Sequence, residues 1–112
     1  MKSEKYYTDL VANADQAAGF LSALANNKHL LILCELLKNE MSVGNLAKTV
    51  NLSQSALSQH LAKLRALNLV STRRDAQTIY YVVSSQRIEL MLATLDSLYI
   101  GAKQHSADQI RQ

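Results

Sequence analysis

Apolar residues return every three or four positions over most of this chain, give way after residue 68 to a β-branched and aromatic stretch, and then resume the helical spacing. Leu10, Ala14, Ala17, Ala18, Leu21 and Leu24 keep that spacing and predict a first helix over residues 7–25. Asn26-Asn27-Lys28 interrupts it. The following HLLILCELLKNE is apolar on most of its circumference, which predicts a second helix inside the fold. Ser42 is suited to cap a short third helix, Val43–Val50, and Asn51, which tolerates the left-handed conformation, to end it. Ser53 caps a fourth helix, QSALSQHLAKLRAL, in which Ala56, Leu57, Leu61, Leu64 and Leu67 form one apolar stripe. Asn68 is a second left-handed stop.

Two β-rich runs, residues 69–72 and 78–83, then predict a hairpin with Arg73, Arg74, Asp75, Ala76 and Gln77 at its tip. Tyr80 and Tyr81 must point to opposite faces of the second strand, so at most one is core. A last helix begins near Ser85 or Gln86, carries Ile88, Met91, Leu92, Leu95, Leu98 and Tyr99 on one side, and is expected to fray from Lys103, where the chain turns polar.

The order helix, helix, helix, helix, strand, strand, helix is that of a winged helix-turn-helix: mainly α with a small β-hairpin, one domain over residues 1–112. The helix-turn-helix covers 43–67 and the wing 69–83. What the fourth helix leaves on its polar side is Gln54, Ser55, Ser58, Gln59, Ala62, Lys63 and Arg65. Glutamine pairs in a bidentate way with adenine and serine adapts to several bases, so Gln54, Ser55, Ser58 and Gln59 are the candidate base readers. Lys63, Arg65, Arg73, Arg74 and Gln77 are the candidate phosphate or minor-groove contacts. Glutamate is a common filler of an exposed helical face, and this helix contains none.

Charge sharpens that picture. The whole chain carries +3, but residues 43–87 hold six basic residues (Lys48, Lys63, Arg65, Arg73, Arg74, Arg87) against Asp75 alone, +5, which leaves −2 for the rest. Positive potential is thus gathered on the helix-turn-helix and wing, as a double-stranded DNA partner requires. A chain of 112 residues without proline, and with glycine only at 19, 44 and 101, has no flexible linker. The longest apolar run, residues 30–37, is broken by Glu35 and falls far short of the roughly 20 residues of a membrane span. The start MKSEKYYTDL lacks the apolar core of a secretory signal. A single cysteine excludes an intrachain disulfide and favours the reducing cytoplasm, beside the bacterial nucleoid.

On the strength of LLILCELL, SQSALSQHLAKLR, RRDAQTIYY and LDSLY, the chain resembles the ArsR/SmtB family of bacterial transcriptional regulators, and within it the HlyU, BigR and YgaV group. The resemblance implies a dimeric winged fold that binds operator DNA and responds to an inducer. The family's thiolate metal site lies around the third helix, and VGNLAKTV has no cysteine. Its other common site needs Asp and His pairs along the last helix, where this chain has Asp96 and then Leu98. His29, His60 and His105 share no ligand-like spacing, so no metal and no cofactor are expected. Members of the HlyU and BigR group sense oxidants or reactive sulfur through two cysteines. Cys34 matches the first, while Ile100 stands near the second. Cys34 is therefore either a single-thiol redox sensor or a small buried residue on the Leu30, Leu33, Leu37 stripe. Asn27 and His29 stand where relatives have Pro and Arg, and Asn68 where a glycine is usual.

The first helix (7–25) and the last (86–101) expose more apolar surface than so small a domain can cover. They are the expected homodimer surface, through Leu10, Leu21, Met91, Leu92, Leu95, Leu98 and Tyr99. The expected function is a homodimeric, sequence-specific DNA-binding repressor or anti-repressor on a pseudo-palindromic operator. The rival is a winged-helix module that binds protein and has lost DNA recognition. An enzyme is not expected, since Cys34 has no positioned base or orienting partner.

Overall fold

The computed structural model describes the backbone of residues 7–111 and the side chains of residues 7–100. Helices α1 (Thr8–Ala12), α2 (Ala14–Leu24) and α3 (Asn27–Lys38) lead into strand β1 (Met41–Ser42). Helices α4 (Val43–Val50) and α5 (Gln54–Ala66) follow, then strands β2 (Val70–Asp75) and β3 (Thr78–Val83), and finally helix α6 (Gln86–Arg111). No single described helix is long and apolar enough to cross a membrane.

The caps form where the local sequence placed them. Asn26 turns the expected break into an N-cap, its Oδ1 accepting from the Lys28 and His29 amides at 2.9 and 3.1 Å. Ser42 accepts from Asn45 N–H at 3.3 Å and Ser53 from Ala56 N–H at 3.1 Å. Asn51 and Asn68 both adopt left-handed φ, 58° and 60°. At Asn68 the turn is closed by Asn68 N–H to Arg65 O and Leu69 N–H to Leu64 O, both at 3.0 Å, with Leu64 and Leu69 buried together.

Three expectations about the elements are corrected. The first helix breaks at Asn13, whose side-chain amide donates to Asp9 O at 2.8 Å while its own N–H reaches the same carbonyl at 3.0 Å. Such back-bonding competes with the helical ladder. The last helix continues to Arg111, because AKQHSADQIR contains good helix formers and no proline. The fourth helix closes at Ala66, which leaves Leu67 48% exposed at its end rather than on the buried stripe.

The core is one cluster. Ile32, Leu33, Leu46, Leu57, Leu61, Leu64 and Ile88 are fully buried, and Val70 nearly so. Leu57, Leu61 and Leu64 recur at four and three along α5, so this helix lies on α3 and α4 by one narrow edge and turns the rest outward. Leu92, expected at the dimer surface, is 8% exposed and belongs to this cluster, because α6 lays its first turns on α3.

The sheet has three antiparallel strands in the order β1-β3-β2, not the two expected. Met41 pairs with Tyr81 and Ser42 with Tyr80. A strand of two residues has no periodicity to detect, yet it ties the start of α4 to the wing, since Ser42 is both its last residue and the cap of α4.

Candidate nucleic-acid interface

The outward face of α5 carries Gln54, Ser55, Ser58, Gln59, Lys63 and Arg65, every one of them exposed, while its inner edge is fully buried. That division fixes the rotation of the helix about its axis. Rotating it by one residue would bury an amide or hydroxyl without a partner and expose leucine. Short side chains fill the N-terminal turns and the cations follow them: Ser53, Gln54, Ser55, Ser58 and Gln59, then Lys63 and Arg65. The N-terminal turns also aim free backbone N–H groups and the positive end of the helix dipole outward. Lys48 is exposed at the end of α4.

The wing differs from expectation in a way that matters. Asp75 pairs with Thr78, so only Ala76 and Gln77 form the tip, and the two arginines lie within β2, paired with Tyr80 and Ile79. The expectation of two free arginines at a hairpin tip is corrected. Successive strand residues face opposite sides, and the two meet different neighbours. Arg73 makes a forked contact with Glu40: its Nη2 donates to Oε1, and its Nε donates to Oε2 at 3.0 Å. Its guanidinium also lies 4.8 Å from the centre of the Tyr80 ring. The hydrogen bond from Arg73 holds the Glu40 carboxyl below its usual range, and Glu40 in turn raises Arg73. Arg74 is exposed and makes no ion pair among the described residues. Gln77 is exposed at the tip.

Ala76 is the cost of so short a tip. Its φ of 55° is left-handed, a region a Cβ disfavours and glycine accepts. Tyr81 packs against the core and Tyr80 serves as the platform for Arg73, in keeping with their opposite faces.

The histidines also fall differently from their spacing. His29 and His60 come together edge to face, ring centres 5.0 Å apart and planes at 85°. His105 lies outside the described side chains. No cluster of three or more described His, Cys, Asp or Glu residues could hold a metal ion.

Cys34 is exposed on α3, so its reading as a buried packing residue is corrected. Partial burial of the thiol nevertheless pushes its pKa up; Lys38 opposes this, and Glu35 and Asp96 add to it. It is accessible, but its raised pKa favours the thiol, the less nucleophilic form.

Apart from Leu92, which lies in the core, the expected dimer residues separate into two sets. Leu10, Leu21, Leu98 and Tyr99 are 52%, 52%, 62% and 71% exposed, and Val11, Leu90 and Ile100 on the same helices are exposed as well. Met91 and Leu95 are partly buried against the core. Glu40 and the histidine pair escaped the sequence reading, because nothing local marks a contact between residues so far apart in the chain.

Comparison with known proteins agrees with this geometry. The family model described as "Bacterial regulatory protein, arsR family" matches residues 26–72, from the cap of α3 into β2. The nodulation protein NolR of Rhizobium meliloti is 66% identical over 87 residues, 78% of this chain and 71% of its own length. The transcriptional activator HlyU of Vibrio cholerae is 49% identical over 96 residues, covering 86% of this chain and 89% of its own. A solved homodimeric winged helix-turn-helix DNA-binding domain from Mycobacterium bovis superposes with a TM-score of 0.76 at 26% identity, over 88% of this chain and 91% of that one.

Proposed function

Since the chain belongs to the arsR family of bacterial regulatory proteins, we propose that it binds a pseudo-palindromic operator as a homodimer and regulates transcription there as a repressor or anti-repressor. One observation carries the reading: the exposed face of α5 holds amides, hydroxyls and cations and no acid, while the opposite edge of the same helix is locked into the core. Gln54, Ser55, Ser58 and Gln59 read base edges in the major groove. Lys63, Arg65, Arg74 and Gln77 hold the backbone or the adjacent minor groove. Arg73, paired with Glu40, positions the wing instead of meeting phosphate.

The second copy is called for by the apolar surface of α1, α2 and α6 at Leu10, Val11, Leu21, Leu98, Tyr99 and Ile100. So much exposed apolar surface on three elements of a small domain fits an isologous dimer, as in the homodimeric M. bovis domain. A two-fold axis there would set the two α5 helices about one DNA turn apart, roughly 34 Å. The protein works beside DNA in the cytoplasm. A protein-binding module that had lost DNA recognition would have acids or large apolar residues on the exposed face of α5, and neither is present there.

A gel-shift titration on DNA from upstream of the chain's own gene tests the assignment. Gln59→Ala should cost about 1–3 kcal/mol and relax specificity at one base pair per half-site. Unaltered affinity after Gln59→Ala and Arg74→Ala together refutes it.

A further inference from the structure

We propose that His29 and His60 form a proton-operated switch beneath the recognition helix, in which uptake of one proton by the pair in mild acid tilts α5 out of its DNA-binding position. This rests on the DNA-binding reading above. His29, at the start of α3, is 5% exposed. Its Nδ1 lies 2.9 Å from the Ala23 carbonyl, which can only accept, so Nδ1 carries the hydrogen and Nε2 is left as a bare lone pair. That Nε2 is buried and has no hydrogen-bond partner. The Nδ1 of His60 on α5 is buried without a partner as well, and the two rings meet edge to face. With the neutral His60 hydrogen placed on Nε2, a second proton on either ring would put an N–H donor at a buried nitrogen that has no partner within hydrogen-bonding reach.

The surrounding titratable groups make that proton costlier, the two lysines by their standing charge and His29 only when the proton is already on it. Lys28 and His29 face His60 from α3, and Lys63 faces it from α5. No described carboxylate acts on it, and α2 supplies the Ala23 carbonyl that holds His29. Burial first, then His29, Lys63 and Lys28, hold the His60 imidazole below the ordinary histidine range. The sign follows. With the folded value of His60 depressed, its contribution is complete above the ordinary value of 6.5 and is lost as pH falls through the folded one. Relief comes by carrying the charged ring to water, and His60 takes the helix backbone and its neighbour Gln59 with it.

The direction of the effect is diagnostic. A proton added near a polyanion should strengthen binding by simple attraction, whereas this switch weakens it. The test is fluorescence anisotropy at fixed salt with a labelled duplex from upstream of the chain's own gene, comparing the protein with His60→Gln. From about pH 7.5 to about pH 5.5 the unaltered protein should lose about tenfold in affinity, and the variant less than about twofold. A parallel ring-proton titration by NMR, without DNA, should give His60 a midpoint below 6.5, with α5 amide shifts following the same curve. Should His60→Gln fail to fold, His29→Gln and the titration of the unaltered protein stand in for it. Equal pH ratios in protein and variant, or a His60 midpoint at or above 6.5, overturn the switch. Failure to bind the duplex at any pH counts against the DNA-binding reading, and the ring titration then decides on the switch alone.

Discussion

Arg73 and Arg74 are adjacent and carry the same charge, yet they should contribute very differently to DNA binding. Arg73 is engaged by Glu40 through two hydrogen bonds and lies over Tyr80, so the pair is locally neutral. Arg74 has no ion-pair partner among the described residues and faces solvent across from Ile79. Each phosphate contact contributes about 0.9 to the slope of log affinity against log salt, so Arg74→Ala in both protomers should lower that slope by about 1.8. Over a fourfold rise in salt, from about 50 to about 200 mM, the affinity gap between parent and variant should shrink by about tenfold. Arg73→Ala removes no phosphate contact, and its slope should stay within about half a unit of the parent. Glu40→Gln releases Arg73 and should raise the slope by up to about one unit per protomer. Anisotropy titrations of the four proteins at several salt concentrations measure this directly. Equal slope losses for Arg73→Ala and Arg74→Ala, with no gain for Glu40→Gln, would refute the claim that the ion pair keeps Arg73 from the DNA.

Three further outcomes are expected. Ala76→Gly relieves the left-handed φ at the wing tip and should stabilise the fold by about 0.5–1 kcal/mol, raising Tm by about 2–6 °C; an unchanged or lower Tm contradicts the strain. Leu98→Glu puts a carboxylate into the apolar surface of α6 and should yield monomers by sedimentation at micromolar concentration, with the gel-shifted complex lost while helical circular dichroism is kept. Cys34→Ser should match the parent in DNA affinity before and after mild peroxide, because a thiol whose pKa is raised reacts slowly; a peroxide response present in the parent and absent in the variant would restore the sensor.

Most of the secondary structure was legible because its determinants are local. Asn51 and Asn68 stop their helices in the left-handed conformation, and Ser42 and Ser53 cap theirs, through contacts within a few residues. The α5 stripe needed only the period of a helix to show which side chains would be left for DNA. Where local rules conflicted, the reading slipped. Asn13 sits inside an apolar helical pattern, and its side chain competes with the ladder that the pattern predicts.

The amino-acid order by itself therefore determined most of the elements, the serine caps, the concentration of cations on one module and the acid-free face of α5. Only the tertiary structure decided which of those groups are available. Glu40 reaches Arg73 from 33 residues away, His29 meets His60 across two helices, Leu92 sinks into the core, and Cys34 is left at the surface. Each of these depends on chain closure, which brings together residues that share no periodicity and no turn. Spacing along the chain records which face a side chain occupies, and packing alone records what stands opposite it.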